Sequence, residues 1–236
     1  MDILGVRIDN FSKEEILEKI EKFLSEDKFH QIATVNAEFI LRAQEDEDFK
    51  NILNECDLNI ADSISIKYAF LRFGKILKAR IAGIDLMHEI LKIADEKKMS
   101  VFLAASKTGL SNWEETRDAL SKIYPNVRFS GGNIDPMITD HRLPMTDCRV
   151  IFCNFGAPEQ ERFIKSVKDD IMGLAMGVGG SFDFVTGKAK RAPIWMRYFG
   201  LEWLWRFIQE PRYRLKRIFN AVIIFPIKVL FSNNKH

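Results

Sequence analysis

A glycine-rich turn in the last third of the chain has the composition of an anion-binding site. The apolar run Ile171 to Val178 predicts a buried strand, and three glycines lie at its end: Gly177, Gly179 and Gly180. Glycine has no side chain to obstruct its amide, so such a turn can bring backbone N–H groups close to an anion. We predict that a nucleotide diphosphate binds here. A purely structural turn is the alternative, because the spacing does not match Gly-x-Gly-x-x-Gly.

Polar side chains follow three other apolar runs. They are Thr34 and Asn36 on the first, Asp62 on the second and Asn154 on the third. In an open parallel sheet, ligands bind beyond the carboxyl ends of the strands. A carboxylate there can act as a general base, and we predict this role for Asp62. Capping of the helix that follows is an equally consistent interpretation of Asp62.

Two further positions could contact the same ligand. Arg80 could bind a phosphate group, although a surface arginine is the simpler interpretation. Gln160 and Glu161 open a predicted helix, whose N-terminal amides favour an anion or a sugar hydroxyl. Ordinary first-turn helix chemistry also explains these two residues.

The sequence gives little support for a metal site. Asp46-Glu47-Asp48 contains the Asp-x-Asp pattern of some metal-dependent enzymes, but it lies in an acidic run that we interpret as solvated surface. The four histidines are scattered without ligand spacing: His30, His88, His141 and His236. The three cysteines have neither zinc-site nor disulfide-framework spacing, which favours a reducing compartment: Cys56, Cys148 and Cys153. We predict no metal and no cofactor.

The elements that must position these residues alternate along the chain. Amphipathic helices, the first of them starting at a capping box of Ser12 and Glu15, separate strands that are apolar throughout. This alternation favours a parallel sheet covered on both faces. We predict an α/β fold, a single compact domain over residues 1–194 with a mostly parallel sheet flanked by helices. Within it we predict a helix over Leu110 to Tyr124 and a loop at Gly131-Gly132.

Positive charge is concentrated at the C-terminal end. The net charge is +2, yet residues 188–236 carry 11 Lys and Arg against two Glu, a net charge of +9. On a helix starting after Pro211, apolar side chains fall within one arc and Arg214 and Arg217 lie on the other side. This pattern is typical of a helix in an anionic membrane interface, so we predict a basic amphipathic appendage over residues 195–236. A terminal helix packed on the domain with a solvated basic face is the alternative.

Taken in order, these motifs resemble those of a known family. The motifs are Thr34-x-Asn36, Asp62, Arg80-x-x-Gly83-x-Asp85-Leu86, Tyr124-Pro125, Gly156-x-Pro158-x-Gln160-Glu161, Gly177-Val178-Gly179-Gly180-x-Phe182-Asp183, Arg191-Ala192-Pro193, Glu202-Trp203-Leu204-x-Arg206 and Glu210-Pro211-x-x-Arg214. The ordered set is similar to the WecG/TagA/CpsF family of bacterial glycosyltransferases, and the likeness covers nearly the whole chain.

The resemblance implies metal-independent, inverting transfer of N-acetylmannosamine or a related sugar in cell-surface polysaccharide synthesis. The donor would be a UDP-sugar, and the acceptor a sugar on a membrane-embedded polyprenyl diphosphate such as undecaprenyl diphosphate. By this likeness Asp62 is the catalytic base. The substrate-binding residues it implies are Thr34, Asn36, Arg80, Gln160, Arg206, Arg214 and Arg217, and the nucleotide-binding residues are Gly177, Gly179, Gly180 and Asp183.

We expect a cytoplasmic location, peripheral on the inner face of the cell membrane, since the N-terminus lacks the features of a signal peptide. A non-catalytic nucleotide-binding membrane adaptor, in which Asp62 is only a cap, is the main alternative. Nucleic-acid binding through the basic tail is a third and weaker interpretation, and we expect no nucleic-acid partner. The sequence leaves the oligomeric state open, a homo-oligomer included.

Overall fold

The computed structural model describes residues 1–137, 148–209 and 211–232, apart from the side chain of Tyr213. The strands are β1 Asp2–Ile3, β2 Val6–Arg7, β3 His30–Val35, β4 Leu58–Ala61, β5 Ser100–Ser106, β6 Arg128–Ile134, β7 Val150–Cys153 and β8 Leu174–Gly177. β1 and β2 form a short antiparallel pair. β3 to β8 form a six-stranded parallel sheet in the order β4-β3-β8-β7-β5-β6. The predicted parallel sheet is confirmed.

Helices cover both faces of this sheet. Before β7 they are α1 Lys13–Ser25, α2 Ala37–Ala43, α3 Glu47–Glu55, α4 Ile64–Arg72, α5 Gly83–Glu96 and α6 Trp113–Ser121. After β7 they are α7 Glu159–Ser166, α8 Ser181–Val185, α9 Ile194–Tyr198, α10 Glu202–Gln209, α11 Pro211–Phe219 and α12 Phe225–Phe231. A short 3₁₀ helix, Lys168–Asp170, follows α7, and a π-helical turn, Asn220–Ile224, joins α11 to α12. The capping box predicted at the start of α1 is present.

Adjacent residues of the central strands pack into cores on opposite faces. Ile32 of β3 belongs to the same buried cluster as Ile16 of α1 and Leu91 of α5. Its neighbour Ala33 belongs to a second cluster, together with Phe49 of α3. Because both faces are buried, these strands are apolar throughout rather than alternating apolar and polar residues.

The predicted loop at Gly131-Gly132 is wrong, because both glycines lie inside β6. They pair with Leu103 and Ala104 of β5. A Cβ atom on Gly131 would lie 2.5 Å from the Leu103 carbonyl oxygen and 2.8 Å from the Trp113 ring. Glycine is therefore required here for the close approach of the tryptophan to the strand, and no turn is involved.

The predicted helix over Leu110 to Tyr124 is shorter in the structure. α6 starts at Trp113, because the Asn112 side chain accepts from the Glu115 amide while the Glu115 carboxylate accepts from the Asn112 amide. This reciprocal pair satisfies amides that a helix start leaves free, and it fixes the boundary.

The C-terminal helices combine packing with exposed apolar surface. Phe225 and Val229 of α12 are fully buried in the cluster that contains Phe49. In α11, by contrast, apolar side chains are exposed to solvent: Leu215 and Phe219 are 62% and 53% exposed. The interpretation of a packed terminal helix therefore fits α12 but not α11, and the boundary between residues 194 and 195 stays a prediction. Over the described residues, no helix is long and apolar enough to cross a membrane.

Candidate active site

The predicted site residues gather at the carboxyl edge of the sheet. β3 lies between β4 and β8, so Asn36, Asp62 and Val178 follow three neighbouring strands. The Asp62 amide continues the ladder by donating to the Val35 carbonyl at 2.9 Å. β7 ends beside β8, and Asn154 follows it. The fold therefore brings the predicted base and the glycine turn to one edge, as expected for ligand sites in parallel sheets.

Asp62 is not the cap of the helix behind it. The N-cap position of α4 is Ser63, whose side chain makes no capping hydrogen bond. Burial raises the pKa of Asp62 to about 6, reinforced by Glu202 and opposed by Arg206 and Arg80. A carboxyl group with this pKa is mostly ionised at neutral pH yet is basic enough to accept a proton, as a general base requires.

Arg80 joins the Asp62 strand end to the C-terminal segment. Its Nη1 donates to the Asp62 carbonyl and its Nη2 to the Arg197 carbonyl, each at 3.2 Å. A looser ion pair connects Arg80 to Glu202 of α10, at 3.7 Å. The simple interpretation of a surface arginine is wrong, and binding of a phosphate by Arg80 stays a prediction.

Arg206 lies close enough to Asp62 to lower the pKa of that carboxyl. Its guanidinium packs 4.8 Å from the centre of the Phe184 ring. Burial lowers the pKa of Arg206, with Arg214 adding to this effect and Asp62 opposing it. An arginine remains charged at any ordinary pH, so α10 supplies a fixed cation beside the carboxylate.

Arg214 and Arg217 belong to the same cationic group. Both lower the pKa of Arg206 by charge repulsion, although burial is the largest cause. Arg217 also donates to the Glu38 carboxylate in the first turn of α2, at 2.5 and 2.8 Å. Arg206, Arg214 and Arg217 therefore lie close enough to interact electrostatically, and substrate binding by them stays a prediction. Since three like charges repel, an anionic ligand among them would relieve this repulsion.

Thr34 and Asn36 are positioned mainly by packing and capping. Thr34 is buried, and a Cβ atom on Gly83 would lie 3.2 Å from its hydroxyl oxygen. The Asn36 side-chain oxygen accepts from the Glu38 and Phe39 amides and caps α2. Asn36 therefore has a structural function, the capping of α2. An asparagine suits capping and ligand binding equally well, so the residue type alone does not distinguish the two functions. Substrate binding by either residue stays a prediction.

The glycine turn offers fewer amides than its composition suggests. The Val178 amide donates to the Cys153 carbonyl, and the Gly179 amide donates to the Gln160 side-chain oxygen. Within the described residues, the Gly180 amide donates no hydrogen bond. Asp183 sits one turn further on and accepts from the Ser111 hydroxyl at 2.8 Å. Of the two glycines in the turn itself, Gly179 and Gly180, it is therefore the Gly180 amide that is available to an anion.

The structure adds a polar group to which the sequence assigned no role. Arg191 makes two hydrogen bonds to the Asp85 carboxylate, at 2.7 and 2.5 Å, and its Nε lies 3.6 Å from Glu202. Burial acts to raise the pKa of Asp85, but Arg191 outweighs it, so this pKa is below its ordinary value. All three residues occur in the ordered motifs of the family, which is the signal that could have identified them.

The acidic run interpreted as surface has structural roles. The Asp46 side chain caps α3 through the Phe49 amide and pairs with Arg162 of α7 at 2.8 Å. Among the described residues there is no cluster of three or more His, Cys, Asp and Glu side chains with metal-binding geometry. His141 and His236 lie outside the described residues.

The fold places the Asp62 carboxylate beside Arg80 and Arg206 at the carboxyl edge of a parallel α/β sheet. The family model described as "Glycosyl transferase WecG/TagA/CpsF family" matches residues 1–236, and the chain belongs to that family of glycosyltransferases. The resemblance noted in the sequence is confirmed.

Two relatives show how far the similarity extends. One, from Bacillus subtilis strain 168, is 32% identical over 192 residues, which cover 79% of this chain and 74% of the relative. Another, from Staphylococcus aureus strain MW2, is 31% identical over 244 residues, which cover 100% of this chain and 94% of the relative. Each is named N-acetylglucosaminyldiphosphoundecaprenol N-acetyl-beta-D-mannosaminyltransferase.

Proposed function

We propose that this glycosyltransferase moves N-acetylmannosamine, or a related sugar, from a UDP-sugar to a sugar carried on a polyprenyl diphosphate. The transfer is inverting and needs no metal ion. The observation that carries the proposal is Asp62, whose pKa is raised to about 6 beside Arg80 and Arg206. The names of the relatives support the choice of transferred sugar and lipid-linked acceptor.

The proposed reaction is a single displacement. The Asp62 carboxylate accepts the proton of an acceptor hydroxyl while the hydroxyl oxygen attacks the anomeric carbon. The bond from that carbon to the UDP oxygen breaks with inversion, and the electron pair leaves on the diphosphate. Preorganised cations and amide donors stabilise such developing negative charge. Arg206, Arg80 and the Gly180 amide would serve this purpose without a metal ion.

Donor identity can be tested by acceptor-dependent release of UDP in the presence of a metal chelator. The acceptor is a short-chain polyprenyl-diphosphate N-acetylglucosamine, and a panel of UDP-hexosamines and UDP-hexuronates supplies the donors. We expect UDP-N-acetylmannosamine or a close relative to give release that is unchanged by the chelator. Release that requires an added divalent cation, or no release with any UDP-sugar, would contradict the proposal.

The exposed apolar side chains of α4 and of the C-terminal helices, Leu215 among them, support a peripheral location on the inner face of an anionic membrane. α4 presents Ile64, Tyr68 and Leu71 on one face, 38%, 39% and 58% exposed. Two hydrogen bonds join α4 to the C-terminal helices, from Ser65 to the Ala221 carbonyl and from Arg72 to the Leu230 carbonyl. Exposed apolar side chains interspersed with basic residues are the pattern by which helices lie in a membrane interface.

Membrane association can be measured by co-sedimentation with vesicles rich in phosphatidylglycerol. The wild type is expected in the pellet at low salt, and Leu215→Glu is expected to shift it toward the supernatant about tenfold, because burial of one leucine contributes roughly 1.5–3 kcal/mol. Ile123→Glu is the matched control, since Ile123 is 58% exposed just beyond the far end of α6. Equal sedimentation of both variants with the wild type would argue against this surface.

A further inference from the structure

Gln160 and Glu161 are buried although they open a helix. Their exposed fractions are 3% and 1%, whereas polar residues in a first helical turn ordinarily contact water. Burying a carboxyl group is costly unless it is neutral or hydrogen-bonded. The burial of these two polar side chains beneath the glycine turn therefore indicates that they have a specific function there.

The Gln160 side chain joins two strand ends. Its oxygen accepts from the Gly156 amide at 3.1 Å and from the Gly179 amide at 3.0 Å, so it connects the loops after β7 and β8. Its nitrogen donates to the Glu161 Oε1 at 2.6 Å. The glycine amides require the Gln160 oxygen to face them, and Glu161 supports this orientation by accepting from the NH₂ group at the other end.

The end of β8 is shaped to admit this pair. A Cβ atom on Gly177 would lie 2.3 Å from the Gln160 nitrogen and 2.7 Å from the Glu161 oxygen. Glycine at this position is therefore required by side chains beneath the turn. The first glycine, the amide and the carboxyl group form one packed unit.

We propose that Glu161 is a positioning residue for the nucleotide: through Gln160 it holds the 177–180 turn in the conformation that presents the Gly180 amide. This inference rests on the proposed use of a UDP-sugar. Without Glu161 the Gln160 NH₂ group loses its buried acceptor. The Gln160 side chain is then held by the two glycine amides alone, and the turn is fixed less firmly.

The protonation state of Glu161 is part of this arrangement. Burial raises its pKa to about 8, with Gln160 opposing and Glu159 adding to the shift. Its second oxygen has no hydrogen-bond partner within the described residues. The titratable groups nearby are Cys56 at the end of α3, Cys153 on β7 and Glu159 on its own helix, and none of them is a cation. The neutral acid therefore fits the site, and ionisation above about pH 8 places an unpaired charge beneath the turn.

The experiment is calorimetric titration of the full chain with UDP between about pH 6.5 and pH 9.5. We expect wild-type affinity to fall about tenfold as the pH rises through about 8, because ionised Glu161 places a negative charge beneath the turn and that charge repels the diphosphate. Glu161→Gln mimics the neutral acid and should bind UDP with little dependence on pH. Glu161→Ala should bind about tenfold more weakly than the wild type at pH 7, since the Gln160 amide loses the acceptor that orients it. Glu18→Gln, on the exposed face of α1, is the control and should follow the wild type.

Two results would overturn the inference alone: a pH profile of Glu161→Gln identical to that of the wild type, or wild-type affinity in a folded Glu161→Ala. If Glu161→Ala does not fold, the comparison of wild type with Glu161→Gln still decides. Folded wild type that binds no UDP at any pH would overturn both this inference and the proposed donor.

Discussion

Asp62→Asn is expected to lower the rate of sugar transfer at neutral pH by about 100-fold or more, the range typical of general-base loss. The amide has the shape of the carboxylate but cannot accept the proton of the acceptor hydroxyl. Affinity for UDP should change little, because the contacts predicted for the nucleotide lie at the glycine turn. Initial rates with a saturating donor, together with UDP titration, separate these two effects. Asp118→Asn, on the exposed face of α6, controls for loss of an aspartate.

The same substitution should not destabilise the fold at neutral pH. The pKa of Asp62 is raised from 3.8 to about 6, so the native state binds more protons than the unfolded chain between these values. The stability that protonated Asp62 contributes is full below about pH 3.8 and is lost as the pH rises through about 6. Urea unfolding at pH 7.5 should therefore find Asp62→Asn at least as stable as the wild type. A fully active Asp62→Asn variant would show that Asp62 is not the catalytic base.

Arg206→Ala is expected to reduce transfer by a similar factor, about 100-fold, because it removes a fixed cation from the departing diphosphate. It should also change the dependence of rate on pH. The wild-type rate falls below about pH 6 as Asp62 becomes protonated, and Arg206 holds that pKa lower than burial alone would. Without the cation, the fall in rate at acid pH (the acid limb of the pH–rate profile) should move to higher pH.

The matched variants for this prediction are Arg206→Lys and Arg212→Ala. Arg206→Lys keeps the positive charge and should leave the acid limb near its wild-type position, with part of the rate restored. Arg212 is exposed on the neighbouring α11, so its loss should leave both rate and limb unchanged. An acid limb that stays in place in Arg206→Ala would show that this arginine does not act on the base.

Elements with a strong local signal could be predicted from the sequence. β3 and β4 are apolar runs ending in polar residues, and in the structure these polar residues lie at the expected edge of the sheet. Gly131-Gly132 was predicted wrongly, because two glycines usually signal a turn. The space that they leave for Trp113 depends on tertiary packing, which no local pattern contains.

The sequence predicts that several of the candidate site residues meet at one edge of the sheet, but it does not predict their contacts. The local sequence leaves Asp62 as either a base or a cap, and the N-cap position of Ser63 excludes the cap alone. Gln160 carries no local sign that its oxygen holds the amides of Gly156 and Gly179. The ion pairs around Arg191 join residues that are 106 positions apart, so they follow only from the fold.

The measurement that tests the proposed reaction most directly is structural analysis of the lipid-linked product. Purified wild-type chain would be incubated with UDP-N-acetylmannosamine, a polyprenyl-diphosphate N-acetylglucosamine acceptor and excess chelator. The glycosidic linkage would then be read by NMR spectroscopy. We predict a disaccharide on the lipid diphosphate whose new linkage has the anomeric configuration opposite to that of the donor. A retained configuration, or free sugar and UDP without a lipid-linked disaccharide, would contradict a displacement assisted by Asp62.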